Sequence, residues 1–313
     1  MQISAQIKMR ILVTGGTGFI GKHLVERLDH KLNEVLLLSR NPQDFSSLES
    51  ENVKLMQGDL SNIDTWKHKV KEFSPHAAIH LAWEGIPDYR SVTSIKNLNH
   101  GLSLYSILIE SGCKKIISTG SCWEYGKQTG CLNESQVIHP HNAFASAKNS
   151  LHWAGKYLSE ENGIDFAWLR LFYVYGPNQR KDALIPYIIR CIKENTKPEI
   201  KTPSAKNDFV YVGDVADAII AVLQHDTPNL RSSVYNVGSG NLTGVKEIIH
   251  QVYTHLNITP EVTFLEDKAE VLYDGSWADL IKIREDTGWK PAVSISEGIL
   301  RMMTMSERSE YDV

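Results

Sequence analysis

No apolar run in this sequence comes near the roughly 18 residues needed to span a bilayer, so a transmembrane role is excluded at this level. There is no surplus of one charge. The 33 Lys and Arg against 37 Asp and Glu give a net charge of −4, which leaves no basic footprint for nucleic acid or an anionic membrane. Cysteine is scarce: Cys113, Cys122, Cys131 and Cys191 form no C-x-x-C pair, and no Cys/His cluster has zinc spacing. That excludes a disulfide scaffold and a structural zinc site, and the expectation is reduced thiols in a cytoplasmic protein. Met1–Lys8 lacks the apolar stretch of a secretory leader and reads as a lead-in to the first strand. Repeats and low-complexity tracts are also missing.

The 313 residues, 42% of them apolar, are enough for a sizeable core in one large or two modest domains. The most informative stretch runs from Met9 to Leu28. Ile11–Leu12–Val13 reads as a buried strand. Gly15, Gly18 and Gly21 follow at G-x-x-G-x-x-G spacing, and a helix over 22–28 carries Leu24, Val25 and Leu28 on one face. A strand, a glycine turn and a helix N-terminus together present backbone N–H groups to a pyrophosphate, which a Cβ would hold off. The bland alternative is a tight turn without a ligand.

The pattern repeats along the chain. Strands are expected at Glu34–Leu38, Val53–Met56, Ala77–Ala82, Lys114–Thr119 and Phe166–Leu171. Helices are expected from near Ile63, at Ser94–Ser111, and from about His141 to Glu161. This alternation implies an α/β fold: a right-handed, doubly wound parallel sheet with ligands at the carboxyl ends of its strands. Ser39–Arg40 ends the second strand where an acidic residue would hold the ribose of NAD. A hydroxyl and a guanidinium suit a 2′-phosphate instead, so NADP(H) is favoured, against the reading of Arg40 as a solvated loop charge. Asp59 suits either the adenine amino group or the cap of the following helix. His80 reads as structural. Beyond Leu171 the pattern loosens. Tyr173–Pro177 reads as a turn, Ala183–Glu194 as a helix and Lys197–Asp208 as a loop. Phe209–Val212 and Val234–Val237 read as strands, and two short helices follow Gly244.

These residues together resemble the extended short-chain dehydrogenase/reductase family, in its nucleotide-sugar branch. Thr14–Gly21, Asp59–Leu60, His80–Leu81–Ala82, Asn97, Ser121 and Lys148 match its motifs. So do Arg170–Leu171–Phe172 through Tyr175–Gly176–Pro177, Asp208–Val212, Asn236–Gly240 and Thr287–Pro291, so that the likeness covers about residues 9 to 300. The resemblance implies a Rossmann domain over 1–172 with 209–237. It also implies a smaller, discontinuous substrate domain over 173–208 with 238–313, which holds a nucleotide-diphosphate sugar. It implies a homodimer through the helices near 94–111 and 143–161. The cofactor residues it implies are Gly15, Thr17, Gly18, Phe19, Ile20 and Gly21, then Ser39, Arg40, Asp59 and Leu60, and finally Leu81, Ala82, Asn97 and Lys148.

One departure stands out. The family's Tyr-x-x-x-Lys is here Phe144–Ala145–Ser146–Ala147–Lys148, and no other Tyr-x-x-x-Lys occurs. Hydride addition to a ketone leaves an alkoxide that needs a proton. In the family a tyrosine gives it, with a lysine lowering the phenol pKa and a serine polarising the carbonyl. Phe144 has the ring and no proton. The intact surroundings, with Ser121 and Lys148 in place, favour a Tyr→Phe change that leaves the chain inactive or impaired. A second reading gives the proton to another group, with Glu124, Tyr125 or Tyr173 as candidates. A third is a non-catalytic NADP(H)-binding protein.

The resemblance also narrows the reaction. Dehydratases of the family carry an Asp-Glu pair just after the serine position, where this chain has Cys122–Trp123, which disfavours 4,6-dehydration. A 4-ketoreductase of deoxysugar and surface-polysaccharide synthesis remains, with an NAD-dependent 4-epimerase behind it. Tyr173 stands where the epimerases often carry asparagine. Trp123, Glu124, Tyr173, Lys181, Lys206 and Arg284 are the candidates to hold the nucleotide sugar. Trp123 also fits a packed core position and the three cations ordinary surface charges.

Overall fold

The computed structural model describes residues 9–28, 30–43, 46, 49–225, 232–259 and 275–311. The expected lead-in over residues 1–8 lies outside them. The strands are β1 (Met9–Thr14), β2 (Asn33–Ser39), β3 (Val53–Gln57), β4 (Ala77–His80), β5 (Lys115–Ser121), β6 (Gly130–Leu132), β7 (Asp165–Leu171), β8 (Tyr173–Tyr175), β9 (Lys206–Asn207), β10 (Phe209–Tyr211), β11 (Ser232–Val237), β12 (Thr243–Gly244) and β13 (Ser276–Ala278). The helices are α1 (Phe19–Arg27), α2 (Lys67–Phe73), α3 (Ser91–Glu110), α4 (Ala143–Asn162), α5 (Leu184–Lys193), α6 (Val212–Gln224), α7 (Val245–His255), α8 (Ile281–Thr287) and α9 (Ile295–Tyr311).

A seven-stranded sheet has the order β11-β7-β5-β4-β1-β2-β3. Its pairings from β3 through β2, β1 and β4 to β5 are parallel. The order reverses at β1, which puts the crevice of a doubly wound sheet beside the carboxyl ends of β1 and β4. The expected fold class is thus observed. The strands are continuous apolar runs because helices cover both faces: Ile11, Leu12, Val13, Val35, Leu37 and Ile79 are fully buried.

The chain divides into two compact units. One holds residues 1–126, 138–170 and 216–235, and the other 127–137, 171–215 and 236–313. In the first, α1 begins at Phe19, earlier than its apolar spacing indicates, because Gly18 already serves as its N-cap. Asp59 is not a helix cap. Its Oδ1 accepts from the Ser61 N–H at 2.7 Å, and the 3-10 turn Ile63–Thr65 and α2 start after Asn62 and Trp66. His80 fills the structural slot expected of it, its Nδ1 lying 2.7 Å from Thr14 Oγ1, and burial pushes it down to about 3.

In the second unit two expectations change. Tyr173–Tyr175 is a strand rather than a turn, since it pairs in parallel with Phe209–Tyr211. Among the described residues three helices follow Gly244, not two, because a separate helix, Ile295–Tyr311, lies beyond the family-like Trp289. Asp208 ties this unit together: its carboxylate accepts from the backbone N–H of Ser239, Gly240 and Ala278. Asp214 lies in the first turn of α6 and accepts from the Val293 N–H at 3.0 Å.

Candidate active site

The glycine turn is built as its spacing requires. Gly15 has φ +75°, and a Cβ there would come within 2.6 Å of the Ala82 backbone nitrogen. Only glycine takes that conformation without strain and lets β1's turn lie against the end of β4. A Cβ on Gly21 would run into the Gly15 carbonyl oxygen, so the third glycine sets how closely α1 packs. The first turn of α1 carries neither an acidic residue nor a side-chain cap. Its N–H groups therefore face outward with the positive end of the helix dipole, and the cradle fits a dinucleotide pyrophosphate. Thr17, Phe19 and Ile20 line it half-exposed.

Ser39 is buried at the end of β2, while Arg40 is exposed and pairs with Glu84 Oε1 at 3.4 Å. Glu84 also meets Lys96 Nζ at 3.0 Å. Leu60, Leu81 and Ala82 are half-buried around the same crevice. Asn97 works indirectly. Its Oδ1 accepts from the Glu84 N–H at 2.7 Å, and its Nδ2 donates to the Glu84 and Thr93 carbonyls at 3.0 and 2.8 Å. Every polar group of Asn97 is thus spent on backbone. It fixes the segment after β4 against α3.

The reactive corner sits at the carboxyl end of β5. Ser121 is its last residue. The Ser121 Oγ accepts from the Trp123 N–H at 3.2 Å, so its own hydroxyl proton is directed elsewhere and can polarise a carbonyl. Lys148 lies two turns into α4 and is almost fully buried. Its Nζ donates to the Thr119 carbonyl at 2.6 Å and stands 4.0 Å from the centre of the Trp83 ring. Burial pushes the amine down to about 7, against the opposing pull of Glu124. Phe144 is one turn earlier on the same helix face and 7% exposed. Asn142 caps that helix, its Oδ1 accepting from the Ala145 N–H at 2.8 Å.

Two of the proposed proton sources are removed by their surroundings. Glu124 is fully buried, and its carboxylate accepts from the Ser121 N–H at 2.8 Å, from Trp168 Nε1 at 3.1 Å and from Arg170 Nε at 3.1 Å. Burial pushes its carboxyl up, with the Arg170 guanidinium opposing. It neither faces a sugar nor spares an oxygen for one, so it is a positioning residue for Ser121. Tyr125 is also fully buried, its hydroxyl accepting from Arg170 at 3.0 Å. Tyr173, Lys181, Lys206 and Arg284 belong to the second unit. Tyr173 is half-buried and packs on Phe209, and the three cations are exposed.

The structure adds two residues to this corner that the motifs do not mark. Trp83 and Tyr89 stand edge-on to Phe144 with ring centres 5.5 and 5.2 Å away. Trp123 joins them at 4.8 Å from Tyr89 and 5.8 Å from Phe144. Trp123 is therefore part of an aromatic wall, half-buried and not sealed in the core. The available signal was position: Trp83 directly follows His80–Leu81–Ala82, and Tyr89 precedes α3 by two residues.

The crevice, glycine cradle and Ser/Lys corner define a nucleotide-binding α/β enzyme fold. Residues 11–238 match the NAD dependent epimerase/dehydratase family, and the chain belongs to that family. It is 26% identical over 324 residues to the dTDP-4-dehydro-6-deoxyglucose reductase of Escherichia coli, covering 95% of this chain and 97% of that protein. It is 28% identical over 316 residues to the UDP-glucuronate 4-epimerase of Thermodesulfobacterium geofontis, covering 95% and 96%. Among solved structures, the UDP-glucose 4-epimerase of Thermotoga maritima with UDP-glucose shares the fold, with a TM-score of 0.84 at 22% identity over 96% of this chain and 100% of that one.

Proposed function

We propose that the protein is an NADPH-dependent reductase of the 4-keto group of an NDP-4-keto-6-deoxysugar, acting in the cytoplasm. The observation that carries this reading is the corner itself: Ser121, whose hydroxyl oxygen accepts from the Trp123 N–H, ends β5 two residues after Thr119, whose carbonyl accepts from the buried Lys148 amine. Similarity over 95% of this chain to a protein named dTDP-4-dehydro-6-deoxyglucose reductase supports it. Bound NADPH supplies the hydride. Ser121 donates to the carbonyl oxygen as charge develops on it, and Lys148 holds the nicotinamide ribose. Arg40 receives the 2′-phosphate by exchanging its exposed partner Glu84, since exposed ion pairs are worth at most about 1 kcal/mol. Lys181, Lys206 and Arg284 are the cations for the diphosphate. Phe144 leaves the enzyme impaired relative to a tyrosine enzyme.

Glu84 favours a second reading, because its carboxylate beside Arg40 opposes a 2′-phosphate. In that case the protein is an NAD-dependent 4-epimerase, which consumes no cofactor. One experiment separates these readings. The purified protein is titrated with NADPH and NADH, then given dTDP- and UDP-4-keto-6-deoxysugars while NADPH absorbance is followed. Tighter NADPH binding with stoichiometric oxidation is expected. Interconversion of UDP-sugars without oxidation makes it the epimerase. Tight binding with no turnover, by this chain or by its Phe144→Tyr variant, makes it a sensor.

The reading also includes a homodimer through α3 and α4. On α4, Trp153 and Tyr157 are four residues apart, stacked at 5.9 Å and exposed. On α3, Val92 and Ile95 are exposed on one side. Contiguous exposed apolar side chains of this kind mark contact surfaces. Light scattering is expected to give a dimer mass for the wild type and a monomer for Trp153→Glu/Tyr157→Glu, with circular dichroism unchanged.

A further inference from the structure

We propose that Tyr89 is the general acid of this enzyme and supplies the proton that position 144 lacks. The inference rests on the reductase reading and names a residue for its missing step. Tyr89 has the required chemistry in the required place. Its ring centre is 5.2 Å from the Phe144 ring and 4.8 Å from the ring of Trp123, two residues beyond Ser121. It is half-buried, so its ring is neither sealed in the core nor fully in solvent.

The segment carrying Tyr89 is held firmly. Asp88 accepts from the Arg90 N–H at 3.1 Å, from Arg90 Nε at 2.8 Å and from Thr93 Oγ1 at 2.6 Å. Its own N–H donates to the Gly85 carbonyl at 2.5 Å. The Arg90 guanidinium beside Asp88 holds that carboxyl well below the usual carboxylate range, so the clasp persists across the physiological range. Asn97 anchors the start of the same segment from α3 through the Glu84 backbone. A positioned acid needs such second contacts, because proton transfer demands hydrogen-bond reach to the reacting oxygen.

Four other proton-bearing groups are held elsewhere, and His141, its ring 5.9 Å from that of Trp123, is the competing donor. Glu124 and Tyr125 are sealed against Arg170. The Tyr105 hydroxyl is fully buried against Ser118 Oγ at 2.7 Å, and burial raises it further above the usual phenol range. Lys148 is turned to the Thr119 carbonyl beneath Trp83. In the step, the sugar C4 receives a hydride from reduced nicotinamide and the C=O π pair moves to oxygen. The Tyr89 O–H bond breaks as a new O–H bond forms on the sugar, and the phenolate regains its proton from water.

The test compares wild type, Tyr89→Phe and the double variant Tyr89→Phe/Phe144→Tyr. Calorimetry with the NDP-sugar alone, without hydride donor, reads binding and folding independently of turnover. Tyr89→Phe is expected to keep nucleotide-sugar affinity within about threefold and lose about 100-fold or more in kcat, the size of a positioned general acid. KM for the nucleotide sugar should stay within about threefold while kcat falls, a split that a merely structural role would not give. The double variant should regain turnover, because a phenol again faces the reacting oxygen. An active wild type whose Tyr89→Phe variant keeps its kcat overturns the proposal and leaves the reductase reading standing, as does a wild type that turns over only as Phe144→Tyr. A protein that binds NADPH yet reduces no 4-keto sugar in any variant overturns both.

Discussion

Phe144→Tyr is expected to raise kcat for the proposed NADPH-dependent 4-keto reduction by about 10- to 100-fold, with KM nearly unchanged. A well-placed general acid contributes roughly 10²- to 10⁴-fold, and the expected gain is smaller if, as proposed, Tyr89 covers part of that step. The added hydroxyl extends from a ring fixed on three sides by Trp83, Tyr89 and Trp123, so its direction is set before substrate arrives. Lys148, one turn further along α4, is held down to about 7 by burial. At neutral pH it is charged in a good fraction of molecules. A cation beside a phenol stabilises the phenolate and lowers its pKa, which makes the new tyrosine a better acid than a solvated one. The variant's rate should therefore fall as pH rises through 7 and Lys148 loses its charge. Steady-state rates across pH 6 to 9 read both effects. An unchanged rate, together with unchanged pH dependence, would mean that the ring at 144 does not face the reacting carbon.

How much of this corner could be read in advance depended on whether a residue's role is local or assembled. The glycine turn is local. Strand, three glycines and helix follow one another in the chain, so Gly15 and Gly21 could be assigned from spacing and their close approaches follow from it. The parallel sheet was legible for the same reason, since continuous apolar strands alternate with amphipathic helices. Ser121 and Lys148 were recognisable only through the family likeness. Glu124 was misread because its environment is built from β7, more than forty residues away: nothing near it in sequence announces Trp168 and Arg170. Tyr89 and Trp83 escaped because aromatic residues in a connecting segment have no periodicity to mark a face. Asn97 was matched by position alone, and its side-chain hydrogen bonds go to the backbone of 84 and 93. Tyr173–Tyr175 is too short to carry a strand signal, and only its partner Phe209–Tyr211 makes it one.

The buried pair of Glu124 and Arg170 gives the largest expected effect on stability. Both side chains are almost wholly out of water, at 0% and 3% exposure, and meet at 3.1 Å. Such a pair adds little over an apolar replacement, but losing one partner strands a buried charge at a cost of about 3–5 kcal/mol. Glu124→Leu is therefore expected to destabilise the protein by that amount in urea denaturation. It leaves Arg170 unpaired, the Trp168 N–H without its acceptor and the Ser121 N–H uncapped. Glu124→Leu/Arg170→Met removes the stranded charge and should recover most of the stability. Turnover should not return with it. The carboxylate also accepts from the Ser121 backbone while Ser121 Oγ accepts from Trp123, a reciprocal cap that aims the serine hydroxyl. Neither leucine nor methionine rebuilds that cap. A double variant that is stable and yet slow separates the two roles of Glu124, neutralising Arg170 and directing Ser121. A double variant as fast as the wild type would leave Glu124 with only the first.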